Sequence, residues 1–152
     1  MAYLFIDGVE NAVVVQSVAA GISLTVEVGP RLNQYLWSPG QLEPGEAGEF
    51  AVETTPGEDP GFVAGQVLAN RPAAEHAAYR ASIAGNKIGG TPCFHDCDIF
   101  PGPGPWRLLA QFAEDIAGRT ELDFGGGSGY IFLTPDGKSG RFVCQSRPAH
   151  ER

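Results

Sequence analysis

The sequence predicts an α+β domain, dominated by antiparallel strands in two packed layers and carrying one helix. Three observations lead there. The chain of 152 residues holds 21 Gly and 12 Pro, a turn-rich composition that suits short strands joined by tight connections. Two segments near opposite ends repeat one hairpin design, and a single Ala-rich stretch has helical character. The length fits one domain, residues 1–152, with a core that needs no disulfide or cofactor to be stable.

The first hairpin is read from Tyr3-Leu4-Phe5-Ile6, the turn pair Asp7-Gly8, and a returning Val13-Val14-Val15-Gln16-Ser17. Asp-Gly between apolar runs is the strongest short-range hairpin signal, because both residues tolerate the left-handed backbone of the turn. Ile22-Ser23-Leu24-Thr25-Val26-Glu27-Val28 alternates apolar and polar residues and predicts a half-buried strand. Tyr35-Leu36-Trp37 predicts a short aromatic strand, residues 40–48 an acidic Gly/Pro loop, and residues 50–54 a segment of β propensity before a turn cluster at 55–61. Residues 62–69 fit either strand or helix, and strand is the preferred assignment. Residues 72–84 predict the helix: Pro72 suits the first turn, Glu75 lies near the positive end of the dipole, and Gly85-Asn86 can close it. His76, Tyr79 and Ile83 then share one face.

Ile88-Gly89-Gly90-Thr91-Pro92 predicts a positive-φ bend followed by extended backbone, since proline excludes helical geometry at Thr91. Residues 106–112 predict a strand carrying the polar Gln111. Gly125-Gly126-Gly127-Ser128-Gly129 precedes a strand rather than a helix and is followed by no Lys in register, so it reads as a tight connection and not as a phosphate loop. The closing segment, Tyr130-Ile131-Phe132-Leu133, Asp136-Gly137 and Phe142-Val143-Cys144-Gln145-Ser146, matches the first hairpin in its Tyr, Phe, Asp-Gly, Val and Gln-Ser order. Thr134-Pro135 is the insertion. This predicts an internal duplication, with both hairpins in equivalent places and Tyr3, Phe5, Tyr130 and Phe132 in one core.

Ten basic against 18 acidic residues give a net charge of -8. That disfavours nucleic acid and anionic membranes, which need concentrated Lys and Arg, and would steer a basic protein partner towards the chain. The first residues lack a basic region and reach Asp7 early, which reads as a strand rather than a signal peptide or membrane span. With three cysteines and no even pairing pattern, the expected compartment is a reducing cytoplasm.

Cys93-Phe94-His95-Asp96-Cys97-Asp98 is the densest cluster of ligand and nucleophile types, and Cys144 could join it. Tetrahedral zinc accepts three Cys and one His, but His95 sits between the two nearby cysteines and Cys144 stands alone on a strand, so no cofactor or metal is expected. Cys93 and Cys97 lie too close in sequence to His95 for easy nucleophile and base alignment. His76 faces along the helix, and His150 lies in a polar tail. The carboxylates Glu114, Asp115, Glu121 and Asp123 show no spacing that demands acid and base work. Trp106 follows Pro101-Gly102-Pro103-Gly104-Pro105, a restrained loop that either buries the ring as a core plug or offers it to a partner.

The order Lys87-Ile88-Gly89-Gly90-Thr91-Pro92, Leu108-Leu109-Ala110-Gln111, then the Gly-rich run into Tyr130-Ile131-Phe132-Leu133, resembles the YwqG-like family of bacterial domains over roughly the last two fifths of the chain. Ala110 stands where the family usually has a third aliphatic residue. The Ile-Gly-Gly turn, nearby cysteines and Leu-Leu-Ala-Gln strand are also similar to ribosomal-protein chaperones related to programmed cell death protein 2. The first resemblance implies fold without chemistry, and the second points to protein binding. The expected function is therefore a noncatalytic protein-binding module, chaperone-like or toxin-neutralising. Phe94, His95, Asp96, Asp98 and Trp106 are its candidate partner-binding residues. The competing expectation is an enzyme or small-molecule binder with a cleft lined by His95, Asp96, Asp98 and Gln111.

Overall fold

Eight elements make up the computed structural model, which describes residues 2–7, 10–15, 53–113 and 126–148. They are β1 (Ala2–Asp7), β2 (Glu10–Val15), α1 (Gly65–Leu68), α2 (Ala73–Ile83), β3 (Lys87–Ile88), β4 (Arg107–Ala113), β5 (Ser128–Leu133) and β6 (Gly140–Gln145). β1 and β2 pair antiparallel, and the other strands form an antiparallel sheet in the order β3-β4-β5-β6. The α+β, mainly antiparallel class follows. No helix among the described residues is long and apolar enough to cross a membrane. The strands expected at 22–28 and 35–37, the loop at 40–48, Phe50, Gly125, His150, and the carboxylates Glu114, Asp115, Glu121 and Asp123 lie outside the described residues. Glu53 and Thr54, at the end of the segment given β propensity, belong to no strand.

The two hairpins share their register. Tyr3 pairs with Val14 and Phe5 with Ala12, while Tyr130 pairs with Val143 and Phe132 with Arg141. These are corresponding positions of the repeated sequence. The connections differ: β1 and β2 meet at Asp7 and Glu10, whereas β5 and β6 part at Leu133 and Gly140. Thr134-Pro135 supplies the longer turn, which Asp136 closes by accepting from Thr134 Oγ1 at 2.6 Å and the Lys138 N–H at 3.1 Å, with Gly137 at φ 67°. β2 packs against β6, and Val13 fills the place that a side chain on Gly140 would need. The expectation that Tyr3 and Phe5 join the core falls on side chains outside the described set.

Alternation along β5 sends Tyr130 and Phe132 to one face, and both rings are 0% exposed. Phe94 and Leu108 complete the core cluster, with Ile99, Trp106 and Val143 packed on it. The Phe94 ring lies 5.1 Å from Tyr130 and 6.4 Å from Phe132, both tilted. Such aromatic pairs contribute about 0.5–1.5 kcal/mol each beyond area burial.

The long helix forms where expected. Pro72 is its N-cap, Glu75 lies in the first turn, Arg80 in the last, and Ile83 is buried with His76 and Tyr79 half-buried on the same face. It ends by extending at Ala84, followed by Gly85 at φ 91°. Residues 62–69 correct the strand assignment: Gly65–Leu68 is a short helix, giving a second helix where one was expected. The Ala64 carbonyl accepts from the N–H groups of Val67 and Leu68, and the Asp98 carboxylate accepts the Gly65 N–H at 3.0 Å. The stabilising acceptor is 33 residues away, so local β propensity loses to a tertiary contact.

Gly89 and Gly90 have φ of 75° and 78°, which turns the chain out of β3 as the sequence predicts. Around this bend Lys87 Nζ donates to Asp59 Oδ2 at 2.7 Å and to the carbonyls of Ile83 and Thr91. Asp59 Oδ2 also accepts the Thr91 N–H at 2.8 Å, and Thr91 Oγ1 donates to the Pro60 carbonyl at 2.6 Å. Burial of Asp59 works to raise its pKa. The Lys87 hydrogen bond, the Thr91 N–H and the Lys87 charge outweigh it and hold the carboxyl below its ordinary 3.8.

A side chain on Gly90 would collide with the Asp59 carboxylate, whereas one on Gly89 meets open space. Gly89→Ala should therefore cost about 1–2 kcal/mol, the left-handed backbone penalty alone, and Gly90→Ala distinctly more in urea unfolding. Equal losses at the two positions would contradict the collision.

Because the folded-state pKa of Asp59 is depressed, the unfolded chain binds more protons between the two values. Its contribution is complete above the unfolded value and drains away as pH falls through the folded one. Stability curves from pH 6 down to about pH 2 should fall more shallowly for Asp59→Asn than for the wild type. Parallel acid limbs would refute the coupling.

Candidate functional site

Two glutamines on the strands that flank β5 organise the loop that begins at Cys93. Gln111, on β4, is buried; its Oε1 accepts the Cys93 N–H at 2.7 Å and its Nε2 donates to the Gly85 carbonyl at 2.8 Å. Gln145, at the end of β6, accepts the His95 N–H at 2.6 Å and donates to the Cys97 carbonyl at 3.1 Å. Tyr130 donates its hydroxyl to the Cys93 carbonyl at 2.7 Å. A stretch without regular structure thus has four of its backbone groups, the N–H of Cys93 and His95 and the carbonyls of Cys93 and Cys97, satisfied by side chains of β4, β5 and β6, which ties it to the sheet.

The candidate residues divide on this frame. Phe94 is 8% exposed and belongs to the core cluster, so its assignment to a partner surface is corrected: the pinned backbone points the ring inward onto Tyr130 and Phe132. His95 is half-buried, with Nε2 3.0 Å from Ser128 Oγ. Ser128 also hydrogen-bonds Tyr130, whose phenol burial pushes far above its ordinary pKa, so the ring stays a neutral donor. Asp96 is exposed. Asp98 is exposed too and engages the Gly65 amide. Trp106 is half-buried, packs on the core and donates its indole N–H to the Gly102 carbonyl at 3.0 Å, closing the Pro-Gly loop on itself.

The three thiols are separate. Cys93 is buried, with Sγ 3.8 Å from the Arg80 carbonyl, and Cys97 and Cys144 are exposed. Burial raises the Cys93 pKa against the opposing charges of Arg80 and Lys87, which keeps it a protonated, weak nucleophile. Among the described residues no group of three or more His, Cys, Asp or Glu side chains could hold a metal ion.

A cleft among the described residues lies apart from His95. A cavity of about 430 Å³ opens between Phe62, Phe100, Trp106, Arg107, Leu108 and Phe132, bordered by the bend at Gly90, Thr91 and Pro92. Phe62 and Phe100 stand edge to face 5.3 Å apart, and Phe100 lies 5.2 Å from Phe94 and 5.5 Å from Phe132. The aromatic cluster therefore runs from the buried core out to the rim, where Phe62 and Phe100 remain 42% and 36% exposed. His95, Asp96, Asp98 and Gln111 do not line it. Sequence reasoning singled out Trp106 alone of this set. The overlooked signal was the occurrence of Phe62 and Phe100 inside Gly- and Pro-rich irregular segments, where a large aromatic has no strand to belong to.

No protein-family model, no curated protein and no solved structure matches the chain.

Gln111→Leu strands the buried Cys93 N–H, whereas the Gly85 carbonyl, on an exposed residue, can turn to water, so the loss should be about 1–3 kcal/mol, the cost of one unmet buried group. The loop would loosen with it. In the native protein a thiol reagent should label Cys97 and Cys144 quickly and Cys93 only slowly. In Gln111→Leu the Cys93 rate should rise more than the other two. Fast Cys93 labelling in the wild type would contradict its burial.

Proposed function

We propose that this chain is a noncatalytic protein-binding module whose contact surface is the aromatic groove and the loop that supplies Phe100. One observation carries the reading. Apart from Thr91 and Arg107 the side chains that line the groove are aromatic and aliphatic, and among the described residues its lining contains no carboxylate, imidazole, thiol or serine that could accept a proton or attack a substrate. Its one hydroxyl, on Thr91, is already donated to Pro60. Exposed aromatic anchors around a desolvated floor are what protein interfaces use to concentrate binding energy.

The pinned loop supports the same reading. A surface held by Gln111, Tyr130, Gln145 and Asp98 before any partner arrives gives up little conformational freedom on binding. The resemblance to the YwqG-like family and to the ribosomal-protein chaperones belongs to this proposal, as do a cytoplasmic location and a chaperone-like or toxin-neutralising role. The net charge of -8 favours encounter with a partner of basic overall character.

A second reading rests on the groove's volume. About 430 Å³ falls within the range of small-molecule sites, about 300–1,000 Å³, so an apolar ligand is the alternative occupant.

Affinity capture with the whole chain tests the choice, using Phe62→Ala and Phe100→Ala beside Val67→Ala and Ile88→Ala, which remove exposed apolar side chains outside the groove. A specific partner should be retained by the latter pair and weakened about tenfold or more by the former, the scale of truncating a hot-spot aromatic. Retention unaffected by any of the four, or no retained protein, would overturn the proposal.

A further inference from the structure

We infer that the groove recognises an apolar residue adjoining a carboxylate in a partner polypeptide, with Arg107 receiving the anion; this rests on the protein-binding reading above. The polar side chains around the groove are accounted for individually. Thr91 Oγ1 is committed to the Pro60 carbonyl, and the Trp106 indole N–H to the Gly102 carbonyl. Arg107 is exposed and is the sole charged residue among the described residues of the lining. Among the described residues its guanidinium has no hydrogen-bonding or ion-pair partner.

The neighbouring cations are engaged differently. Lys87 is bound to Asp59 and two carbonyls, and Arg80 donates to the His95 carbonyl at 3.2 Å. In a chain of net charge -8, an uncommitted Arg beside three aromatic rings gives the groove a local sign opposite to that of the molecule. The nearest turn forms no ion pair with it. Arg107 Nη2 reaches the β5–β6 turn, 3.7 Å from where a side chain on Gly137 would begin. The Asp136 carboxylate of that turn accepts from Thr134 Oγ1 and the Lys138 N–H through Oδ1 and makes no ion pair with Arg107.

Guanidinium is the group best shaped for a carboxylate, since its planar fork makes two parallel N–H···O bonds. Phe62, Phe100 and Trp106 supply the complementary apolar pocket. The two halves of the site together specify an apolar side chain followed or preceded by an acidic one, presented by a partner whose overall charge is basic.

The test pans a random dodecapeptide library against the full chain, then measures the selected peptides by fluorescence polarisation against wild type, Arg107→Ala, Arg107→Glu and Phe100→Ala. Circular dichroism confirms that each variant is folded. Enriched peptides should pair an aromatic or aliphatic residue with Asp or Glu. Arg107→Ala should weaken them about tenfold and Arg107→Glu further, and replacing the peptide's acid by Lys should restore binding to Arg107→Glu. Peptides that depend on Phe100 but carry no acid and ignore Arg107 would overturn this inference and leave the binding module standing. Peptides that fail to depend on either residue, or no enrichment at all, would overturn both.

Discussion

The Lys87 ammonium has three hydrogens and three acceptors, and the described architecture turns on that match. One goes to Asp59 in the irregular segment before α1, one to the Ile83 carbonyl at the end of α2, and one to the Thr91 carbonyl beyond the Gly-Gly bend. The side chains of Lys87 and Asp59 are 15% and 19% exposed, so the pair carries more weight than a surface ion pair. Removing one partner would leave the other's charge largely enclosed, the costly case for such pairs. The acceptor at Ile83 also places positive charge at the negative end of the α2 dipole. The end of α2 and the residue after the bend, each four positions away, and Asp59, 28 positions away, are thereby held to the start of β3.

Downstream of that anchor the protein uses side-chain amides where other folds use backbone ladders. Gln111 and Gln145 each present a donor and an acceptor from a single flat group, so each ties two backbone positions at once. Gln111 links the helix exit at Gly85 to Cys93, and Gln145 spans His95 and Cys97. The irregular chain between them becomes part of the rigid body and can carry Phe94 into the core while setting Phe100 at the rim of the groove. Order at the surface is thus inherited from the sheet.

Much of the local structure was legible in the residues. The Asp136-Gly137 turn, the Ala-rich segment behind Pro72 and the paired glycines before Thr91-Pro92 each dictate their own backbone, and the second hairpin, α2 and the positive-φ bend stand where those signals put them; β1 and β2 pair as expected, with Asp7 in the strand and Gly8 outside the described residues. Gln111 was recognisable as a polar residue able to bond beside the sheet. What could not be read depends on contacts across the chain. α1 is capped by Asp98, a residue of another segment, and Phe94 is core only because Gln111 and Tyr130 fix its neighbour Cys93. The groove is harder still. Its lining comes from four separated stretches, and no spacing in the sequence brings Phe62, Phe100, Trp106 and Phe132 together.

The shortness of β3 matters for how the molecule behaves in crowded solution. Sheet edges expose unpaired amide and carbonyl groups that can recruit another chain and seed polymerisation. Among the described residues, the β3 side of the sheet offers only Lys87 and Ile88 as a paired strand before Gly89 and Gly90 swing the backbone away. A foreign strand would find a template of two residues, too short for a stable ladder. Ile88, 71% exposed on that edge, can therefore remain apolar without making the protein adhesive to its own copies through strand pairing there.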